Sequence, residues 1–242
     1  MEIIVDGLGR IVEGINAVAS ALDSDRVIEL IYLNSSRNTA KLDQLIKVAK
    51  KKKVKVVEIK YKNEWTYNHR HQVAAICKPF ETYKESDIHK FKDKNFIVCD
   101  HLQDTNNLGA IARSAAAFNF NVLAIPIKRS VKLSEKIFSI SSGGLERIDI
   151  LMYNSIFSLI KKFNSLDVWT IGLDMDGNTE IEDIDLSNQN VAIFLGSEES
   201  GLSVEIKNKL DILSNIKMVK KFESINVSVA AGIAMHKIFI KK

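Results

Sequence analysis

The feature that most constrains the folding of this chain is its last segment, NVSVAAGIAMHKIFI, which runs from Asn226 to Ile240. The residues that follow Asn226 are small and apolar on every side of a helix, so they offer no polar face to water. Other surfaces must therefore cover this helix. Ser224 and Asn226 stand at its start. Both are residue types that cap helices, which is the simplest interpretation of the pair taken alone.

The size and composition of the chain indicate a folded protein with a substantial core. It has 242 residues, 46% of them hydrophobic, which is enough for one large domain or two smaller ones. The N-terminus, MEIIVDGLGR, carries an acid early, and no apolar run nears the roughly 20 residues of a membrane span. We therefore expect a soluble, cytoplasmic protein. Its two cysteines, Cys77 and Cys99, are predicted to be buried thiols, because they are too few for a disulfide framework.

The charge of the chain is uneven along its length. The formal net charge is +4, but residues 1–80 hold 14 Lys or Arg against 9 Asp or Glu, while the remainder is nearly balanced. Part of the surplus is the run KVAKKKKVK, Lys47–Lys55. Lysines are favoured at the C-terminal end of a helix by its dipole, and they also contact phosphates in nucleic-acid-binding proteins. The run alone does not decide between these two interpretations.

Residues 1–80 predict a small α/β domain, and residues 81–94 predict a linker. The linker prediction rests on the polar stretch PFETYKESDIHKFKDK, which lacks periodicity. The predicted elements of the first domain are a helix at Val12–Leu22, a strand at Val27–Leu33, a helix near Lys41–Lys50, a strand at Val54–Ile59 and a further strand at Gln72–Lys78.

Residues 95–242 predict a second domain built on a parallel sheet. Continuous apolar strands alternate here with helices, which is typical of a parallel sheet that is covered on both faces. Ligands of such sheets bind beyond the carboxyl ends of the strands. The predicted strands are Asn95–Asp100, Asn121–Ile125, Val168–Asp174 and Val191–Gly196, and the predicted helices are Gly109–Phe118, one near Glu135, Ile156–Phe163, one near Val204 and the terminal helix.

Three polar loops fall at or near the predicted strand ends. The first, DHLQDTNNLGAIARSAAAF, turns into a helix that presents Arg113 among small residues, which leave the arginine room to reach a cleft. The second, FLGSEESGL, contains Gly196 and Gly201, which allow close backbone approach to a ligand. The third is the start of the terminal helix. The chain lacks both the GxGxxG fingerprint and the GxxxxGK[ST] phosphate loop, which argues against a nucleotide-dependent oxidoreductase.

Together the three loops resemble the SpoU, or TrmH-like, family of RNA ribose 2′-O-methyltransferases. DTNNLGAIARSA resembles the family's first motif, FLGSEESGL its second and IKMVKKFESINVSVAAGIA its third. The N-terminal unit, with its GRIVEGINAV opening and HRHQVAAI ending, is similar to the ribosomal-protein-like RNA-binding domain of many members. The resemblance implies an α/β fold: a knotted (deep trefoil) parallel-sheet methyltransferase domain after a small N-terminal α/β RNA-binding domain.

The resemblance also implies roles for individual residues. Those matching the family's polar catalytic positions are Asn107, Arg113, Glu198, Ser224 and Asn226, and those matching the positions that hold S-adenosylmethionine are Gly196, Ile216 and Ile225. An arginine is a poor base, because its pKa lies above about 12. We therefore expect Arg113 to bind the phosphate beside the target ribose and to stabilise the developing alkoxide. Lys220 and Lys221 add further phosphate contacts or simply face solvent. No metal is expected, because the methyl donor is already activated.

The activity implied by the resemblance is methylation of a ribose 2′-hydroxyl, with a guanosine of 23S ribosomal RNA as the leading target. A tRNA target and a non-catalytic knotted RNA-binding assembly factor are the alternatives. RNA is the expected partner, and neither DNA nor a membrane is. A homodimer is expected as well, because the family packs its apolar terminal helix in a dimer interface, which would cover the segment after Asn226.

Overall fold

The computed structural model describes residues 8–34, 39–128, 133–186, 189–219 and 224–241. Among these residues, no helix combines the length and the apolar character needed to cross a membrane. Contacts divide the chain into two compact units. The first comprises Met1–Glu81 together with Leu133–Arg147, and the second comprises Thr82–Lys132 together with Ile148–Lys242.

Both units combine strands and helices. The strands are β1 (Ile11–Glu13), β2 (Val27–Leu33), β3 (Lys55–Ile59), β4 (Val73–Cys77), β5 (Tyr83–Lys84), β6 (Phe96–Cys99), β7 (Val122–Pro126), β8 (Asp149–Tyr153), β9 (Val168–Leu173), β10 (Thr179–Glu180), β11 (Asn190–Leu195) and β12 (Ile212–Asn215). The α-helices are α1 (Ile15–Asp23), α2 (Ala40–Lys51), α3 (Thr105–Ala117), α4 (Glu135–Ile140), α5 (Ile156–Ser165), α6 (Val204–Lys207) and α7 (Val227–Phe239).

The first unit contains a four-stranded sheet in the order β1-β4-β2-β3. Strands β2 and β3 run parallel, whereas β4 is antiparallel to both β1 and β2. The predictions for β2, β3, β4 and α2 are confirmed. The predicted helix at Val12–Leu22 was wrong at its start, because Ile11–Glu13 pairs with β4 before the helix begins. The turn between strand and helix is made by Gly14, whose φ of 92° favours glycine.

Helix α2 carries much of the lysine run. Thr39 caps it by accepting a hydrogen bond from the Leu42 backbone N–H, and the buried face is formed by Leu42, Leu45 and Ala49. Lys50 and Lys51 occupy its last turn, where their charge complements the helix dipole. The lysines therefore lie on the side of the helix away from its buried face.

Residues 133–147 belong to the first unit, although in the sequence they follow α3, which belongs to the second unit. The guanidinium of Arg26 forms a 2.6 Å ion pair with Glu146, and both side chains are nearly buried. The rings of Phe80 and Phe138 meet edge to face at 5.3 Å, and Arg26 lies over both rings. The division at 1–80 and 95–242 therefore differs from the one that contacts give, because these non-local contacts attach α4 to the first unit.

The segment predicted as a linker, 81–94, is part of the second unit's fold. Strand β5 pairs with β8, and a 3₁₀ helix, Glu85–Phe91, follows it. Ile88 and Phe91 are buried in the unit's core. Glu85 accepts a hydrogen bond from the Ser158 hydroxyl. The polar composition of the segment hid these apolar anchors, so the linker prediction was wrong for most of its length.

The second unit is built on an eight-stranded sheet in the order β10-β12-β9-β11-β6-β7-β8-β5. Every strand pair in it is parallel, which confirms the predicted sheet type. The sequence did not reveal β8, β10 or β12. Because the strands are parallel, their carboxyl ends share one edge of the sheet, and the loops after β6, β9, β11 and β12 all leave from that edge.

Helix α7 is covered on one side within the chain. Its buried residues are Ala231, Ala234, Met235 and Ile238, and it packs against α3. On another side Val229 is 52% exposed, so the expected cover is incomplete in the single chain. The predicted trefoil knot depends on the path through residues 220–223, which lie outside the described residues, and the knot stays a prediction.

Candidate active site

A network of side-chain hydrogen bonds joins the three motif loops at the carboxyl edge of the sheet. The Asn226 Nδ2 donates to Asn107 Oδ1 at 3.0 Å, and Asn107 Nδ2 donates to Glu198 Oε1 at 2.9 Å. We call this chain of three residues the amide network. Because each amide uses its nitrogen as a donor and its oxygen as an acceptor, the network fixes the orientation of both asparagines.

Local structure positions each member of the amide network. Asn107 lies in the first turn of α3, where Asp104 caps the helix by accepting from the Asn106 backbone N–H at 2.8 Å. The side chain of Asn226 caps α7 by accepting from the backbone N–H groups of Ser228 and Val229. Both residues are thus held by helix starts. The capping role expected for Asn226 is confirmed, and the same side chain also serves the site.

The loop after β11 brings backbone atoms into close approach. The backbones of Ser197 and Gly201 exchange two hydrogen bonds, of 3.2 and 3.1 Å, and Gly201 has a φ of 63°. A Cβ placed on Gly196 would lie only 2.0 Å from the carbonyl carbon of Gly201. Position 196 therefore admits no side chain, which agrees with the expectation of close backbone approach.

Next to the amide network lies a cavity of about 910 Å³, which we call the acidic cavity. Its walls come from the carboxyl ends of β9, β11 and β12 and from the start of α7. They include the three expected cofactor residues, Gly196, Ile216 and Ile225, and three of the expected catalytic residues, Glu198, Ser224 and Asn226. Among the described residues, five acidic side chains line it against two lysines, which favours a cationic ligand; these are Asp174, Asp176, Glu180, Glu198, Glu199, Lys207 and Lys217.

Arg113 is the fifth expected catalytic residue. It is exposed on α3, beyond Asn107 along the helix, and it is not among the residues that line the acidic cavity. Its helix neighbours Ala110 and Ser114 border a groove with α7. Lys220 and Lys221, the other expected phosphate contacts, lie outside the described residues.

Sequence reasoning missed an ion pair in the cavity wall. Lys207 Nζ lies 2.7 Å from Asp174 Oδ1 and 3.0 Å from Asp176 Oδ2. Burial alone would lower the pKa of Lys207, but hydrogen bonds and attraction to Asp174 and Asp176 outweigh it and raise that pKa. The sequence contained a signal that could have placed Asp174 in the site. Asp174 is the last residue of a predicted apolar strand, as Asp100 is, and ligands bind beyond such strand ends.

Comparison with known proteins identifies the family. Residues 94–236 match the model of the SpoU rRNA Methylase family, which covers more than half of the chain. The chain belongs to the SpoU rRNA methylase family. Residues 11–83 of this SpoU chain match a second model, RNA 2′-O ribose methyltransferase substrate binding.

Relatives match the SpoU chain over most of its length. It is 31% identical over 234 residues to the 23S rRNA (guanosine-2′-O-)-methyltransferase RlmB of Coxiella burnetii, covering 93% of each chain. It is 29% identical over 236 residues to YacO of Bacillus subtilis, which is named in the TrmH family of tRNA/rRNA methyltransferases, covering 95% of this chain and 94% of YacO.

Solved structures share the fold. The SpoU methyltransferase AviRb from Streptomyces viridochromogenes, in complex with AdoMet, superimposes with a TM-score of 0.77 at 18% identity, covering 96% of this chain and 89% of AviRb. An AdoMet-bound rRNA methyltransferase from Sinorhizobium meliloti gives 0.74 at 22% identity, covering 94% and 85%.

The SpoU family uses S-adenosylmethionine, and the residues present fit this donor. Gly196 lets the loop backbone approach closely where any side chain would collide with Gly201. The excess of carboxylates in the acidic cavity complements the donor's sulfonium and ammonium charges. The protein is thus an RNA 2′-O-methyltransferase of this family, with S-adenosylmethionine as its cofactor.

Proposed function

We propose that this enzyme methylates the 2′-hydroxyl of a guanosine in 23S ribosomal RNA. The chemistry rests on one observation, the amide network that joins Asn226, Asn107 and Glu198 beside the acidic cavity. The choice of substrate rests on the RlmB relative, which is matched over 93% of its length and so includes the N-terminal unit.

The amide network suits the orientation of a ribose hydroxyl. Each oxygen of Glu198 accepts one hydrogen bond, from Asn107 Nδ2 at 2.9 Å and from the Gln103 backbone N–H at 3.5 Å. A carboxylate oxygen can accept more than one, so Glu198 can still accept a bond from the 2′-hydroxyl. Orienting this weak nucleophile toward the donor is the main task of the site, because the bound methyl group is already activated. Gly196, Ile216 and Ile225 would hold the donor, and Ser224 would contact the ribose.

We further propose that the enzyme is a homodimer. Helices α3 and α7 border a groove of about 530 Å³ that is lined largely by apolar and small residues, among them Phe118, Val229, Gly232 and Ile233. A second copy of the apolar α7 would cover this groove and the exposed Val229. Static light scattering should give twice the chain mass at micromolar concentration, and a stable monomer would contradict the proposal.

The dimer also gives Arg113 a place in catalysis. Because Arg113 lies outside the cavity of its own chain, beside the groove, we propose that it acts at the site of the second copy, where it binds the target phosphate. A dimer of one Arg113→Ala chain and one Asn226→Ala chain, purified through two different tags, then contains one intact site. It should regain about half of the wild-type rate, as expected for two equivalent sites. No activity in this mixed dimer would place Arg113 in its own chain's site.

The lysines of α2 are the proposed phosphate-binding residues of the N-terminal unit. Lys47, Lys50 and Lys51 are exposed on this helix. The logarithm of the RNA-binding constant decreases linearly with the logarithm of the salt concentration. The magnitude of this slope should decrease by about 0.7 to 0.9 for each phosphate that the protein no longer neutralises. Replacing Lys47, Lys50 and Lys51 by Gln should therefore weaken RNA binding and flatten its salt dependence. An unchanged slope would show that these lysines do not bind RNA phosphates.

Methyl transfer from labelled S-adenosylmethionine tests the substrate directly. Ribosomal RNA and bulk tRNA, each from cells lacking the protein, would be offered separately. We expect alkali-resistant label in 23S ribosomal RNA at a guanosine. Label in tRNA alone would favour a tRNA ribose 2′-O-methyltransferase, the second candidate, which is in keeping with the name of YacO. Label in neither RNA would favour a non-catalytic RNA-binding factor.

A further inference from the structure

One carboxylate in the wall of the acidic cavity has an oxygen to which none of the described residues donates a hydrogen bond. The side chain of Asp174, at the carboxyl end of β9, is only 7% exposed. Its Oδ1 accepts from Lys207 Nζ at 2.7 Å and from the Asp176 backbone N–H at 3.1 Å. Within the described part of the chain, no hydrogen bond reaches its Oδ2. This oxygen lies 3.1 Å from the point that a Cβ on Gly201 would occupy, beside the loop that borders the cavity.

The other four carboxylates of the cavity differ from Asp174 in burial or in partners. Glu198 belongs to the amide network, and Glu180 pairs with Lys217 at 3.0 Å. The side chain of Asp176 is 73% exposed, and Glu199 is exposed. Asp174 is therefore the carboxylate, among the described residues lining the cavity, that combines deep burial with a vacant acceptor oxygen.

The partner of Asp174 restricts the kind of ligand group that Oδ2 can take. A carboxylate oxygen requires a hydrogen-bond donor, and S-adenosylmethionine offers three: the adenine amino group, the ribose hydroxyls and the ammonium group. Lys207 already forms an ion pair with Asp174 at 2.7 Å, so a second cation gains less there than at a carboxylate that has no cationic partner. The flat, apolar adenine suits the walls formed by Ile216 and Ile225. The ribose hydroxyls remain as the best-matched donors.

We propose that Asp174 recognises the ribose of S-adenosylmethionine by accepting, at Oδ2, a hydrogen bond from one of the two ribose hydroxyls. Lys207 is the positioning residue, because its bond to Oδ1 holds the carboxylate against the loop at Gly201. This inference rests on the assignment of the acidic cavity to the methyl donor. It predicts that the enzyme discriminates S-adenosyl ligands by their sugar.

Calorimetric binding of S-adenosylhomocysteine and of its 2′-deoxy and 3′-deoxy analogues tests the inference on the wild-type protein. We expect one of the two deoxy analogues to bind at least about tenfold more weakly, as is usual when a hydrogen bond to a charged group is removed. Equal affinity for all three ligands would overturn the role of Asp174 while leaving the cavity assignment intact. Absence of any binding would overturn the cavity assignment, and with it this inference.

Variants assign the discrimination to Asp174 itself. In Asp174→Ala and Asp174→Asn the penalty for the deoxy analogue should disappear or shrink severalfold, because the acceptor for that hydroxyl is gone. Asp176→Asn is the matched control, since it also removes a carboxylate from Lys207 but keeps Oδ2 of Asp174. It should retain the wild-type ratio. A ratio that persists in both Asp174 variants would overturn the proposal, because the residue would then be structural.

5′-Methylthioadenosine separates the ribose from the amino-acid part of the donor. It keeps the sugar and lacks the ammonium group, so Asp174→Ala should weaken its binding by the same factor as that of S-adenosylhomocysteine. If Asp174→Ala weakens S-adenosylhomocysteine but leaves 5′-methylthioadenosine unaffected, Asp174 binds the ammonium group and the ribose assignment is wrong.

Discussion

The double role of Asn226 leads to a prediction in which stability and activity separate. Its Oδ1 caps α7, and its Nδ2 donates to Asn107, which is 8% exposed. Asn226→Ala removes the cap, at about 1 kcal/mol. It also leaves the Asn107 oxygen without its donor, at about 1 kcal/mol more. We therefore expect about 2 kcal/mol less stability, or a Tm lower by about 4 to 8 °C for a unit of this size.

Asn226→Asp provides the matched comparison. The new carboxylate keeps the cap, and its charge is favourable at the start of α7. It cannot donate to Asn107, so the Asn107 amide must turn away from Glu198 to satisfy it. We expect Asn226→Asp to unfold in urea within about 1 kcal/mol of wild type. Single-turnover methyl transfer should nevertheless be about a hundredfold slower, because the network loses its geometry. Near-normal transfer by this variant would refute the catalytic role of the amide network.

Three further predictions concern other parts of the chain. Gly196→Ala should abolish measurable S-adenosylhomocysteine binding in calorimetry, because the new Cβ lies 2.0 Å from the Gly201 carbonyl carbon and displaces the loop; wild-type affinity would contradict the close approach. Arg26→Ala should lower the free energy of unfolding by about 3 kcal/mol in urea, because it leaves Glu146 buried and unpaired, and a decrease below about 1 kcal/mol would show the pair to be dispensable. Burial raises the pKa of Cys77 from 9.0 to about 12, so this thiol should resist iodoacetamide at pH 8 until the chain unfolds. Because the folded chain holds that proton more tightly, the thiol's contribution to stability should fall as the pH rises above 9.0.

Much of the second unit could be predicted because its signals are local. Strands such as Val191–Gly196 are continuous apolar runs, and loops that leave parallel strands must meet at one edge. This rule predicts that the loop of Glu198 meets the other polar loops, and the family motifs add Asn107 and Asn226. The capping function of Asn226 was equally readable, since it depends only on residues within one turn of the helix.

The errors arose where distant contacts decide the structure. Asp149–Tyr153 is a buried strand, but it follows directly on a glycine-containing turn and has no clear flanking signal. The contact of Arg26 with Glu146 joins residues 120 positions apart, which no local pattern reports. The position of Arg113 outside the cavity could not be read either, because a motif records which residue types occur together and not where the fold places each side chain.

The attachment of residues 133–147 to the first unit has a consequence for how such enzymes can be recombined. The substrate-binding module is discontinuous, since fifteen residues from the interior of the methyltransferase sequence complete it. Cutting the gene after residue 81 would leave Arg26 without Glu146 and Phe80 without Phe138. A graft of this module onto another SpoU enzyme, made to change its RNA target, must therefore carry both segments.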